Sequence, residues 1–339
     1  MTVEVCNNME RRIEFIDILK GLGIVLMVLG HLHLSNTLNR FIYAFHMPLF
    51  FIISGYLYRR PACLKNYSLK KVKVLMSPYL LWGCVYSVIA AILTPHFFIS
   101  FWKSIVAVFF KGTYDLPVES ALWFLPAMLW TSLFYALIDK TIYSNNKKVF
   151  VLILLTLLGC SWTNYIPFRL PLALDSALSA IGFYFIGHCV KEHKKVLELP
   201  ERDLTAFMLV TVFIIIDGVL ILKNNTLNIR AGIWGYIPLS YFNATIYTWI
   251  FYRIAVLIDR KLNFVKRTFL FIGYNSIIYL CINHLVLKMV MKVIKGKFFP
   301  LENYSYAIES LLIFICSILI MCLFVPVFTK TRFRFMFGK

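Results

Sequence analysis

The chain has 339 residues, of which 60% are hydrophobic, 17% aromatic and only 15% charged; 35 Lys and Arg face 16 Asp and Glu, a formal charge of +19. Soluble domains average about a quarter charged residues and under half apolar, so this surplus of apolar side chains must face lipid. A soluble enzyme, a disordered tail and a disulfide scaffold are excluded, and the basic excess points to cytoplasmic loops and an anionic ligand rather than to nucleic acid.

At about 20 apolar residues per span, hydropathy predicts ten transmembrane helices near 13–34, 41–58, 74–94, 121–138, 149–164, 173–190, 204–222, 236–258, 269–287 and 307–329. The first run follows Arg11 and Arg12 but shows no small-residue cleavage site, so it reads as a retained helix rather than a signal peptide. The stretch 97–110 is apolar but short, fitting an interfacial or re-entrant piece. No internal repeat or long linker is visible, so the expectation is one all-α, polytopic membrane domain over 1–339. The eight cysteines contain no C-x-x-C pair and lie mostly in apolar runs, as small packing residues.

Orientation follows from the loops. Those on one side of the ten spans, with the N-terminal segment and the tail, hold 24 of the 35 Lys and Arg; the loops opposite hold 10, and Arg253 lies inside a span. By the excess of positive charge on the cytoplasmic side, both termini are expected in the cytoplasm.

Ionisable groups inside a span are costly and mark sites. In the first span Asp17, Lys20 and His31 recur at helical spacing: at ~100° per residue His31 falls within about 20° of Lys20, and Asp17 about 40° from His31. They share one face, with His31 about 16 Å outward of Lys20, while Gly21, Gly23 and Gly30 let a neighbour come close. His33 points almost oppositely, so the two histidines make a poor metal site and no metal is expected.

The second span carries His46 in its outer half beside Pro48, a residue that frees a carbonyl and shapes cavities. The ninth carries Ser276 and Asn283 on one face and His284 again in the outer half. Three histidines at a similar depth suggest one shared cavity. Nearby on the outer side, Asp115 and Glu119 precede Leu122-Trp123, and Asp175 opens the sixth span; such acids can orient a histidine or bind a sugar hydroxyl. Asp217 is a lone acid within the seventh span. At the inner end Arg59 and Arg60, followed by Lys65, Lys70, Lys71 and Lys73, anchor the chain and surround the mouth into which Lys20 points. They suit a nucleotide-bearing anion, Arg by bidentate contacts and Lys as point charges. With no Walker loop or G-x-G-x-x-G present, chemistry driven by ATP is unsupported.

Asp17-Ile-Leu-Lys-Gly-Leu-Gly leading to Leu-Gly-His31, and Phe45-His-Met-Pro-Leu-Phe-Phe-Ile-Ile-Ser-Gly-Tyr56, resemble the membrane-bound acyltransferase family 3, and within it the stand-alone sugar O-acetyltransferases of the fucose 4-O-acetylase type. The family's first helix places a basic residue, more often arginine, ten residues before a histidine, which Lys20 and His31 match. Ser77-Pro-Tyr79, Leu122-Trp-Phe-Leu125, Asp175-Ser-Ala-Leu178 with Phe185-Ile-Gly187, and Gly273-Tyr-Asn-Ser276 extend the likeness to the ninth span.

The resemblance implies transfer of an acyl group, usually acetyl, from cytoplasmic acyl-CoA to a hydroxyl of a cell-envelope or exported carbohydrate, in the cytoplasmic membrane of a bacterium. Since the chain runs only shortly past its tenth span, the acceptor is expected to be handled by the membrane domain or a separate partner. Catalytic candidates are His31, as general base or acyl carrier, then His46 and Glu119. Lys20, Asp17, Arg59 and Arg60 are expected to hold acyl-CoA, and Asp175, Asn283, His284 and Trp123 the carbohydrate. The rival reading is a transporter or flippase for a lipid-linked glycan or organic anion, which favours inverted repeats not visible here.

Overall fold

A computed structural model describes residues 13–32, 34–110, 121–193, 204–224, 226–294, 306–330 and 336–337. Backbone polar groups in a bilayer must be satisfied within their own segment, which leaves helices as the economical solution for this composition. The described residues form twelve: α1 (Glu14–Gly30), α2 (Asn36–Tyr56), α3 (Leu64–Ile92), α4 (Phe97–Phe110), α5 (Phe124–Thr141), α6 (Asn145–Tyr165), α7 (Leu174–Glu192), α8 (Leu204–Lys223), α9 (Ile237–Lys261), α10 (Asn263–Tyr274), α11 (Ser276–Val293) and α12 (Tyr306–Lys330). One-turn 3-10 segments at Ala121–Trp123 and Pro171–Ala173 lead into α5 and α7. Six stretches, Leu64–Ile92, Ala121–Thr141, Asn145–Tyr165, Pro171–Glu192, Ser276–Val293 and Ile308–Thr329, are long and apolar enough to cross a membrane. The protein is an all-α polytopic membrane protein.

A helix stands at each of the ten expected spans, with bounds that differ by several residues at places, and three of the differences bear on the site. The first ends at Gly30 rather than 34, and the backbone N–H of His31 caps it by donating to Met27 and Val28. The third begins at Leu64, ten residues before the expected 74, because the polar stretch carrying Lys65, Lys70, Lys71 and Lys73 continues the helix beyond the apolar run. The expected span 269–287 is two helices: Asn275 leaves helical geometry (φ −107°, ψ 19°) and its side-chain amide donates to the Phe271 carbonyl at 2.9 Å, closing α10 before α11 begins. The short stretch 97–110 is a helix, α4, laid against α3.

α2 is the centre of the bundle, in contact with α1, α7, α8 and α9. Its crossing with α7 depends on two glycines. A Cβ on Gly55 would overlap the Tyr184 carbonyl oxygen, and one on Gly187 would overlap that of Ile52. The crossing of α1 with α10 repeats the device, Gly21 facing the Phe269 carbonyl and Gly273 that of Asp17. Small residues draw helices together where lipid gives no hydrophobic drive. Around this centre α6, α8 and α12 turn apolar side chains outward, among them Phe150, Leu158, Ile215, Leu319 and Leu323.

Contacts between loops respect the two sides read from charge. On the inner side Lys140 donates to the Ala62 carbonyl at 2.9 Å, Lys148 pairs with Asp139 at 2.6 Å, and Lys266 bridges Glu14 (2.5 Å) and Asp259 (2.7 Å). Hydrogen bonds to Asp259 and Glu14 hold the Lys266 ammonium above the ordinary lysine range. On the outer side Arg40 donates to the Leu222 carbonyl at 2.8 Å, Ser176 to that of Ile229 at 3.3 Å, and Asn224 to Ser240 at 3.0 Å.

Gly55→Val pushes two methyls against a backbone carbonyl that no rotamer can avoid, a cost of about 1–3 kcal/mol or more. The expected outcome is a markedly lower melting temperature in detergent, while Leu323→Val on the lipid-facing side of α12 leaves it nearly unchanged.

Candidate functional site

Asp17, Lys20 and His31 rise along one helix, and the structure defines what surrounds each. Near the inner end, Asp17 is buried and its Oδ1 accepts from Lys20 Nζ at 3.3 Å, an i,i+3 pair; Lys20 keeps about a quarter of its side chain exposed. The inner extension of α3 brings Lys71 within electrostatic reach of Lys20, with its ammonium 5.5 Å from the centre of the Tyr67 ring. Lys20, paired with Asp17, and Lys71 are two of the cations at this end of the bundle.

At the outer end of α1, His31 meets His284 of α11, their rings 4.1 Å apart and tilted by 59°. Two histidines separated by more than 250 positions thus share one place. His46 stands one helix over on α2: it is buried, its Nδ1 lies 2.8 Å from the Ile42 carbonyl, and its ring packs edge-on to Tyr43 at 5.0 Å. Tyr43 lies against Gly30, where a Cβ would come within 3.3 Å of its ring. Tyr43 was not among the sequence candidates; spacing on α2 marks His46 alone, and only the close approach at Gly30 brings the tyrosine against α1.

The remaining candidates divide. Trp123 is buried in the 3-10 turn before α5, which packs against α11 and α3. Asn283 is fully buried beside His284, and its amide donates back to the Leu280 carbonyl at 2.7 Å. Glu119 and Asp115 lie outside the described residues, as does His33. Asp217 is buried in α8 and faces Asn243 of α9, whose amide, correctly oriented, donates to Asp217 Oδ1 at 2.6 Å. Among the described residues no cluster of His, Cys, Asp and Glu has the arrangement of a metal site.

Asp175 proves to be part of a clamp. It is fully buried; its Oδ2 accepts from Arg169 Nε at 2.6 Å and its Oδ1 from the Ser176 backbone at 2.8 Å, while Arg169 Nη2 reaches Ser176 Oγ at 2.9 Å. The clamp closes over Leu172 and Ala173, both left-handed (φ 52° and 54°), a conformation that costs a non-glycine residue about 1–2 kcal/mol.

Arg59 and Arg60 are exposed at the end of α2, but Arg60 belongs to a second polar group. Asp139 of α5 gathers Arg60 (3.8 Å), Lys148 (2.6 Å) and the Tyr58 hydroxyl (3.0 Å), and Arg60 also lies 5.6 Å from the Tyr143 ring centre. Beside it the Tyr135 hydroxyl is 2.6 Å from His188 Nδ1. Sequence reasoning missed this network, because Asp139 reads as a loop charge and Tyr135 and His188 as isolated polar residues within apolar runs. Their meeting is a product of three helices ending at the same level.

The family model described as an acyltransferase domain matches residues 13–329. No curated protein and no solved structure matches the chain.

Arg169→Ala strands the buried Asp175 carboxylate, and removing one partner of such a pair typically costs about 3–5 kcal/mol. Unfolding in detergent is expected at a clearly lower temperature, with part of the loss restored when Asp175→Asn is added.

Proposed function

The chain belongs to acyltransferase family 3, and from that premise we propose that it transfers an acyl group, acetyl by preference, from cytoplasmic acyl-CoA to a hydroxyl of an envelope or exported carbohydrate in a bacterial cytoplasmic membrane. The observation that carries this reading is the pairing of the His31 ring with His284 at the outer end of the helix whose inner end bears Lys20.

Lys20 and Lys71 give the inner mouth the positive charge that CoA phosphates require, and Lys20 is placed to draw the thioester inward along α1. About 16 Å further out, neutral imidazole of His31 accepts the proton of the acceptor hydroxyl as the oxygen attacks the thioester carbonyl. The C–S bond then breaks, and the proton returns to the departing thiolate. Imidazole suits this work because its ordinary pKa, near ~6.5, lets it take and give a proton at neutral pH. We assign the carbohydrate to the same end of α11, where buried Asn283 keeps its Oδ1 without a hydrogen bond and against which the turn holding Trp123 packs.

The test follows radiolabelled acetyl-CoA in membranes supplied with envelope glycans. His31→Ala, with expression and fold retained, is expected to lower the rate by about 10²–10⁴-fold, the usual worth of general base catalysis. Lys20→Ala is expected to act chiefly on KM for acetyl-CoA, and Lys20→Arg to keep most of the activity. Label retained on the protein would make His31 the acyl carrier instead of the base. Movement of glycan or anion without thioester loss would replace this reading by a transporter.

A further inference from the structure

The turn between α5 and α6 encloses a cleft that the path along α1 does not use. Its volume is about 760 Å³, and Ile142, Tyr143, Ser144, Asn146, Lys147 and Phe150 line it; small-molecule sites have volumes of this order. Its two walls differ in kind. On one stand cations: Lys147 is exposed and has no salt bridge among the described residues, and the Arg60 guanidinium lies 5.6 Å from the centre of the Tyr143 ring, which itself stays 81% exposed. The neighbouring Asp139 carboxylate is already held by Lys148 at 2.6 Å and by the Tyr58 hydroxyl at 3.0 Å. On the other wall Phe150 begins an apolar stripe along α6. Phe150, Leu154, Leu157 and Leu158 follow the helical period and are all exposed. α6 is long and apolar enough to cross a membrane and packs against α7, so the stripe faces lipid and the cleft sits where that apolar span meets the basic turn.

We propose that this cleft binds the headgroup of an anionic phospholipid, with the phosphodiester set against Lys147 and Arg60 and the acyl chains laid along the α6 stripe. Three features select that occupant. The charge has the right sign, since a lysine or arginine near a membrane surface attracts anionic headgroups, each by roughly five-fold in affinity. The depth is right, because an exposed tyrosine at the end of a span stands at headgroup level, its ring in the interface and its hydroxyl towards water. The apolar wall runs on into the lipid-facing surface, so a ligand with a polar head and long chains buries both parts without bending into the bundle. A soluble phosphate leaves the Phe150 wall bare, and an acyl-CoA seated here points its thioester at lipid instead of at α1. A zwitterionic headgroup brings a cation of its own against Lys147 and Arg60 and binds less well. None of the residues lining the cleft has a part in the acyl-transfer reading, so the site goes beyond that reading and does not rest on it.

The test titrates the full chain in detergent with phosphatidylglycerol and, separately, with phosphatidylcholine of the same chains, and counts retained lipid by native mass spectrometry. Wild type is expected to hold phosphatidylglycerol at concentrations where phosphatidylcholine is lost; equal retention of the two overturns the proposal. Lys147→Gln is expected to weaken phosphatidylglycerol binding about five-fold, Lys147→Arg to keep it, and Phe150→Ser to weaken both lipids. Lys261→Gln removes an exposed lysine at the end of α9 and measures the effect of losing a charge elsewhere. A loss there as large as that of Lys147→Gln, or no loss in Lys147→Gln, overturns the site. All three side chains are exposed, so melting temperatures near that of wild type are expected and lost binding is read apart from lost fold. Inorganic phosphate and free CoA are then added as competitors. Neither is expected to displace phosphatidylglycerol; displacement by phosphate overturns the part given to the acyl chains, and displacement by CoA makes the cleft a nucleotide site instead. No step of the test needs turnover, so failure of the lipid site and failure of the assigned reaction are seen separately.

Discussion

The bundle depends on backbone approaching backbone. At the α2–α7 and α1–α10 crossings a glycine on each helix faces a carbonyl oxygen of the other, so two pairs of helices come together at a distance no other residue permits. In water, burial of apolar area would pull such helices together; in lipid that drive is absent, and van der Waals fit between small residues takes its place. The two crossings share a consequence. They set the height of α2 and α1 relative to their neighbours, and so the level at which His46 and His31 stand.

The polar groups of the interior follow a consistent division. Those at the ends of the helices are tied into clamps: Asp139 with Lys148, Arg60 and Tyr58 inside, Asp175 with Arg169 and Ser176 outside. Each carboxylate is compensated by cations and donors, as burial demands. The α1 path is different in kind. It carries the Lys20–Asp17 pair near one end and two histidine rings in contact at the other. A chain of groups that are basic or easily protonated, leading from one side of the bundle towards the other, is suited to guiding an anionic donor and relaying a proton.

Much of the fold was legible in the sequence because lipid makes composition decisive. Runs of apolar residues have few ways to exist in a bilayer, and the asymmetry of Lys and Arg assigned the loops to sides that their mutual contacts then respected. The helical period alone put Lys20 and His31 on one face. What escaped was local. The break at Asn275 is invisible to hydropathy, since the residues on both sides of it are equally apolar, and the inner extension of α3 is invisible because its lysines look like loop. Asp175 reads in the sequence as an acid at a loop edge, and its pairing with Arg169 becomes visible only in the structure.

What the sequence determined by itself is the class of protein, the course of most of its helices and the order of groups along α1, because each depends on composition or on spacing within one helix. Which side chains from different helices meet was decided only by the tertiary structure. Depth arguments placed His31, His46 and His284 at one level, but level is one coordinate of three. The rotation of α11 about its axis, set where the span breaks, and the approach of α1 to α10, set by two glycines, brought His284 against His31 and left His46 beside Tyr43. Contacts of that kind come from packing between segments hundreds of residues apart, and no periodicity within a segment contains them.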